Sequence, residues 1–340
     1  MKAIRIQEFG GPEVLRYEDV PDPQLRKDQV LVRVRACAMN HLDLWVRKGL
    51  PGVKLPHILG TDAAGEIAEI GEYVTGLQRG QRVVVAPMHY CGHCAKCVAG
   101  LQNQCPEFTV RGYAVDGGNC ELIAVPAANV IPFPDSLDFN QAASVPLVFL
   151  TAWHMLVGRA NLKPGQTVLV LGANSGVGIA GIQVAKLFGC RVITTAGDER
   201  KAAKAKELGA DYVINHYQQK ISEEVRKITD KEGVDIVLEH VGPATWDESL
   251  RSLKPAGVLV TCGATTGPQV GIDLRFVYLR QLSILGSYMG TMGELHEVLK
   301  HVFSGRLKPV VDRAFPLREA RAAHEYMEQS QMFGKIVLHP

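Results

Sequence analysis

The 340-residue sequence has no run of 18 apolar residues, so no membrane-spanning helix is expected. It has no concentrated block of one charge either. Its 37 basic and 35 acidic side chains are interspersed and leave a formal net charge of +2. That balance excludes the strongly basic face needed to hold nucleic acid or an anionic membrane surface. Internal repeats and low-complexity segments are also missing, which excludes a solenoid. The opening MKAIRIQEFGG lacks the apolar stretch of a signal peptide and reads as a strand. Without a secretion signal, a disulfide framework is the weaker reading of the eight cysteines, and a reduced, cytoplasmic protein is expected.

What is present has two textures. Residues 1–126 carry short alternating runs broken by turn signals, such as VLVRVR at 30–35, GEIAEI at 65–70 and QRVVVA at 81–86, and read as an all-β domain. From 127 to 290 short apolar strands alternate with helical patterns: VLVL at 168–171, RVITT at 191–195, DIVL at 235–238, VLVT at 258–261 and SILG at 283–286. That alternation predicts a doubly wound parallel sheet, so the fold class is α/β. The segment 291–340 is helical and ends in GKIVL, which is expected to return to the first domain.

Four of the cysteines, Cys91, Cys94, Cys97 and Cys105, fall at C-x2-C-x2-C-x7-C spacing within a lobe of about 88–106. Thiolates favour zinc, and four of them close a tetrahedral shell. A closed shell leaves no position for water or substrate, so one structural zinc per chain is expected. His89 and His93 are surplus to that shell and are expected to face solvent.

The segment VLVLGANSGVGIAGIQVAKLFG places Gly172, Asn174, Ser175, Gly176, Val177 and Gly178 between a strand and a helix. The inner face of that helix is read as Val177, Ala180, Val184 and Leu187. Glycines there allow backbone N–H groups to approach a pyrophosphate, and the helix N-terminus adds partial positive charge. This context predicts a dinucleotide site. About twenty residues on, where NAD sites usually carry an acid, stands Gly197. A carboxylate about 4 Å from a 2′-phosphate would repel it by roughly 4 kcal/mol per unit charge pair at an effective dielectric of 20. Gly197 removes that objection and Arg200 and Lys201 supply cations, which favours NADPH. Asp198, one position on, keeps NADH open.

The chain resembles the zinc-containing medium-chain dehydrogenase/reductase superfamily, which joins a GroES-like β domain to a Rossmann domain and includes alcohol dehydrogenases and quinone oxidoreductases. The cysteine lobe matches the structural zinc lobe of the alcohol dehydrogenases. The resemblance implies a second, catalytic zinc at three other places, but these read Asn40, Thr61 and Leu147. No soft donor stands at any of them, so the catalytic zinc is expected to be absent. Asn-x-x-Asp at 40–43, Gly-Thr-Asp at 60–62 and Thr151-Ala-Trp-His instead resemble zinc-independent quinone oxidoreductases.

The resemblance implies Asn40 as the donor that polarises substrate, with Asp43 and Asp62 as supporting or proton-path residues. The plain alternative for each carboxylate is a buried hydrogen-bond acceptor. The resemblance also implies His41 and His216 near cofactor phosphates, Thr151 against the nicotinamide, and Val241, Gly263 and Ala264 as walls around ribose and nicotinamide. The implied function is hydride transfer from NADPH to a quinone or an α,β-unsaturated carbonyl compound. The alternatives are an NAD(P)-dependent alcohol or aldehyde dehydrogenase with an unorthodox metal site, and a non-catalytic NADPH-binding protein. The implied assembly is a homodimer or homotetramer through the edge of the cofactor sheet, with Leu282–Leu285 the strand in question.

Overall fold

Along Gln29–Ala38, Val30, Val32 and Val34 are buried while Arg33 and Arg35 are exposed, the period of two that makes a half-buried strand. In the computed structural model, which describes residues 1–340, this strand is the spine of a seven-stranded sheet. It pairs antiparallel with Asp62–Ile70, with Leu122–Pro126 and with the C-terminal strand Lys335–His339. Its inward valines meet Ile67, Val83, Val85, Ile123 and Val125 in one core.

The first unit is not all β. Asn40 ends the spine in extended backbone and starts a helix at His41–Lys48, which closes on Gly49 in the left-handed region at φ 108°. Asp43 at the third helical position accepts from the Asn40 backbone N–H at 2.7 Å, so Asn-x-x-Asp is a helix-start signal as well as a family motif.

The second unit carries six parallel strands in the order Tyr212–Asn215, Arg191–Ala196, Thr167–Val170, Val234–Glu239, Leu253–Thr261, Ser283–Gly286, the doubly wound order with its switch point beside Thr167–Val170. Val168, Leu169 and Val170 are fully buried, as both-face coverage demands. The helix Gly176–Leu187 buries every residue from Gly178 to Ala185. Its inner face is therefore wider than expected: Ile179 and Ile182 join Ala180 and Val184, while Val177 and Leu187 are only half-buried. A helix apolar all round is an interior helix, not an amphipathic one.

The units divide as Met1–Leu147 with Thr291–Phe303 and Pro309–Pro340, and Val148–Gly290 with Ser304–Lys308. The boundary thus falls after Leu147 and not at 126/127, because Val130–Pro132 pairs with Arg82–Val85 and Phe139–Ala143 packs on the first unit's sheet. Residues 304–308 do not return with the rest of the C-terminal segment. Gln183 holds them in the second unit by donating to the Lys308 carbonyl at 2.9 Å and accepting from its N–H at 2.7 Å. No helix is long and apolar enough to cross a membrane.

Candidate active site and cofactor sites

Asn40, Asp43 and Asp62 come together, all buried, where the spine strand ends and the Asp62–Ile70 strand begins. Asp43 spends both oxygens on backbone: the Asn40 N–H at 2.7 Å and the Gly60 N–H at 2.9 Å. Asp62 Oδ1 accepts the Leu147 N–H at 3.0 Å, and its Oδ2 accepts Asn40 Nδ2 at 2.9 Å. Burial raises both carboxyls, Asp43 to about 6. The three places a catalytic zinc would need are thus an amide, a hydroxyl and an aliphatic residue. Thr61 is fully buried and its Oγ1 has no hydrogen-bond partner in the protein.

Asn40, expected to polarise substrate, already has polar partners within the protein. Its amide nitrogen is already given to Asp62 and, at 3.4 Å, to the Ala38 carbonyl, while its Oδ1 accepts from the Lys335 ammonium at 2.5 Å. Lys335 was not legible as part of this site because nearly three hundred residues of chain separate it from Asn40. The pairing of Val337 with Ala38 and Leu338 with Cys37 brings it there. His41 lies 6.3 Å from Trp45, ring centre to ring centre, on the first turn of the helix.

In the second unit Gly172 sits in the left-handed region at φ 63°, and a Cβ on Gly178 would come within 2.1 Å of the Gly172 carbonyl oxygen. Both positions therefore require glycine, as a turn that lets a pyrophosphate approach backbone must. Ser175 caps the helix by accepting the Gly178 N–H at 2.9 Å. Beneath the turn His240 Nε2 donates to the Leu171 carbonyl at 2.9 Å, and its buried ring keeps its basicity below the usual histidine range. Asn174, Gly176 and Val177 are half-buried along the same turn.

At the end of the next strand Asp198 caps the helix Glu199–Glu207 through the Lys201 N–H at 2.8 Å and lies 3.5 Å from Lys201 Nζ. His216 shares this corner: its ring lies 4.4 Å from that of Tyr217, and burial together with the Lys201 charge lowers its pKa. Gly197 packs so close that a Cβ there would meet the Tyr217 ring at 2.6 Å. Gly263 and Ala264 line a cavity of about 530 Å³ with Gly242, Trp246, Ser287 and Tyr288. Two polar atoms among those residues, Trp246 Nε1 and Ser287 Oγ, are buried without partners in the protein. Thr151 is buried with its hydroxyl 4.0 Å from Met289 Sδ. A glycine cradle, a helix N-terminus and unsatisfied polar atoms fit a dinucleotide.

The four cysteines converge, with their sulfurs within 4.8 Å of one another. Cys91 lies 3.9 Å from Cys97 and 3.6 Å from Cys105. Zinc–sulfur bonds of about 2.3 Å in a tetrahedron separate the sulfurs by about 3.8 Å, so the residues fit zinc. Backbone N–H groups of Cys94, Cys97 and Glu107 point at the sulfurs of Cys91, Cys94 and Cys105, orienting them as ligands. His93 is exposed as expected, but His89 is half-buried, and that burial lowers its pKa.

This architecture has known counterparts. Residues 26–135 match the alcohol dehydrogenase GroES-like domain and residues 176–304 the zinc-binding dehydrogenase family. The chain is 31% identical to a quinone oxidoreductase of Sus scrofa, over 99% of this chain and 97% of that protein. It is 32% identical to an acryloyl-coenzyme A reductase of Sulfurisphaera tokodaii over the full length of both. A solved NAD-dependent alcohol dehydrogenase superposes over 100% of both chains with a TM-score of 0.97 and 42% identity. The chain belongs to the medium-chain dehydrogenase/reductase superfamily and is an oxidoreductase of that class.

Proposed function

We propose that the chain reduces a quinone or an α,β-unsaturated carbonyl compound with NADPH, without zinc at the reacting centre. One observation carries this reading: the side chains at 40, 61 and 147 offer no soft donor, and the Asn40 amide and Leu147 N–H are both spent on Asp62. Alcohol oxidation would lack the ion that stabilises an alkoxide. An acceptor whose conjugation spreads the incoming charge does not need one. The bound nicotinamide would supply the hydride. The protein's own part is to hold the acceptor in one pose and keep water out. Asp62 is the carboxylate that would pass a proton along during turnover, and Asn40 orients it by donating to its Oδ2.

Preference for NADPH is supported by Gly197 and by the direction of Asp198, whose carboxylate caps a helix and pairs with Lys201. Lys201 and Arg200, with His216 beside them, would receive the 2′-phosphate. For assembly we propose a homodimer through the strand Ser283–Gly286, which ends the cofactor sheet with Ser283 and Ile284 exposed. Tyr278, Leu279 and Tyr288, in the segments that flank that strand in sequence, are exposed as well.

The test is a metal count joined to an activity assay. Protein as purified is expected to carry one zinc per chain and to reduce a quinone or enone with NADPH at a rate that brief chelation leaves unchanged. Two metals per chain, or chelation that stops turnover without unfolding, would favour the alcohol dehydrogenase reading. NADPH binding without turnover of any quinone, enone or aldehyde would favour a binding protein.

A further inference from the structure

Lys335 opens the last strand and is only 5% exposed. An ammonium that deep is costly unless it is paired and hydrogen-bonded. Its partners come from two distant segments: Nζ donates to Asn40 Oδ1 at 2.5 Å and lies 3.4 Å from Asp62 Oδ2. An ammonium only donates and an ionised carboxylate only accepts. Asn40, held between them, therefore has one permitted orientation, with Oδ1 toward Lys335 and Nδ2 toward Asp62. The other ionisable groups facing Lys335 are Asp43 and the Cys37 thiol, with Cys120 beyond Cys37. Burial keeps both thiols neutral, so the charges that Lys335 balances are those of Asp62 and Asp43.

We propose that Lys335 is the built-in cation of this cluster: it keeps Asp62 ionised, fixes the Asn40 amide, and supplies between residues 40 and 62 the positive charge that a divalent ion would otherwise bring. The inference rests on reading this cluster as the substrate end of a zinc-independent reductase. Lys335 is a positioning residue, acting through Asn40 and Asp62. A tethered charge differs from a bound ion in one respect: strand pairing holds it, so no chelator removes it.

The test uses the full chain with its structural zinc, comparing Lys335→Met, which keeps length and loses charge, with Lys335→Arg. Carboxyl carbons of the aspartates are followed by NMR against pH without nucleotide, and kcat/KM is measured against pH. Loss of the charge should raise the Asp62 titration midpoint by at least about one pH unit, since an opposite charge within 4–6 Å lowers a carboxyl by 1–3 units. The acid limb of the rate profile should move with it, NADPH affinity should stay within twofold, and Lys335→Arg should restore both. An unmoved midpoint in folded Lys335→Met, or slower turnover on an unmoved profile, would overturn the proposal.

If Lys335→Met does not fold, Asp62→Asn/Lys335→Met is compared with Asp62→Asn. The double variant should fold and lose no more activity than the single one. A double variant that also fails to fold would show that Lys335 serves the core alone and overturn the proposal. The NMR midpoint reads Lys335 without turnover, so it is separable from the metal count and chelation assay that decide the parent reading.

Discussion

Asp43 ties two turns together: one carboxylate oxygen accepts the Asn40 N–H that begins a helix, and the other accepts the Gly60 N–H that precedes Thr61. Both bonds go to backbone, which makes Asp43 a structural acceptor. Asp43→Ala removes a helix cap and strands the buried Gly60 N–H. The expected loss is about 2–4 kcal/mol, the sum of a cap and an unsatisfied donor, read by urea denaturation. Activity per folded molecule should fall far less than in Asp62→Ala.

The zinc lobe should behave as a staple. Cys94→Ser removes one of four ligands and the sulfur that accepts the Cys97 N–H. Metal content should drop toward zero, and a protease should cut between residues 88 and 106. Closed structural sites contribute of order 10–16 kcal/mol in isolated peptides, so a large fall in melting temperature is expected. Turnover per folded molecule should largely survive; selective loss of chemistry would assign the lobe a catalytic part.

Acid should weaken the first unit through His324. Arg47 is fully buried and donates to His324 Nδ1 at 3.1 Å and to Glu328 at 2.6 Å. A guanidinium only donates, so His324 Nδ1 must accept and the imidazole stays neutral. Burial and then the Arg47 charge push its pKa down to about 3. Above the unfolded pKa of about 6.5 neither state holds the proton; below it only the unfolded chain does, so stability falls by about 1.4 kcal/mol per pH unit as pH drops toward 3. Asp43, raised to about 6, acts in the opposite sense: the native state holds the extra proton, and stability falls as pH rises through that value. The difference in unfolding free energy between the parent chain and His324→Gln, followed from pH 7 to pH 4, isolates the histidine contribution.

Nucleotide choice should turn on Gly197. Gly197→Asp is expected to weaken NADPH on the order of a hundredfold by repulsion of the 2′-phosphate, with NADH affected much less. The new Cβ clashes only with the ring of Tyr217, which is 81% exposed, and makes an ordinary contact with the His216 ring at 3.5 Å. Titration calorimetry with the two cofactors measures the ratio; equal weakening of both would show that the 2′-phosphate lies elsewhere.

The edge strand offers a separate check. Ile284→Lys places a charge on the exposed side of Ser283–Gly286, where pairing with a second copy would have to bury it. The proposed dimer should dissociate to monomer by light scattering with melting temperature little changed.

Much of this was legible in the chain itself. The cysteine spacing named a four-thiolate site because ligands so close in sequence have few other ways to meet. The alternation of apolar strands and helices named the parallel sheet, and Gly172 and Gly178 were readable because their turn is local. The helix His41–Lys48 was hidden, since its start signal doubled as a family motif inside a β-rich stretch. The 126/127 boundary moved to 147/148 because strand pairing, not composition, assigns Val130–Pro132.

The sequence by itself determined the superfamily, the glycine cradle, the zinc lobe and the loss of soft donors at residues 40, 61 and 147. Each of these is fixed by residue type within a short window. Tertiary structure alone decided which side chain meets Asn40 and Asp62. Lys335 meets Asn40 and Asp62 only because the last strand returns to the spine, and a buried charge is balanced by whatever the fold brings within a few ångströms, however far away in sequence.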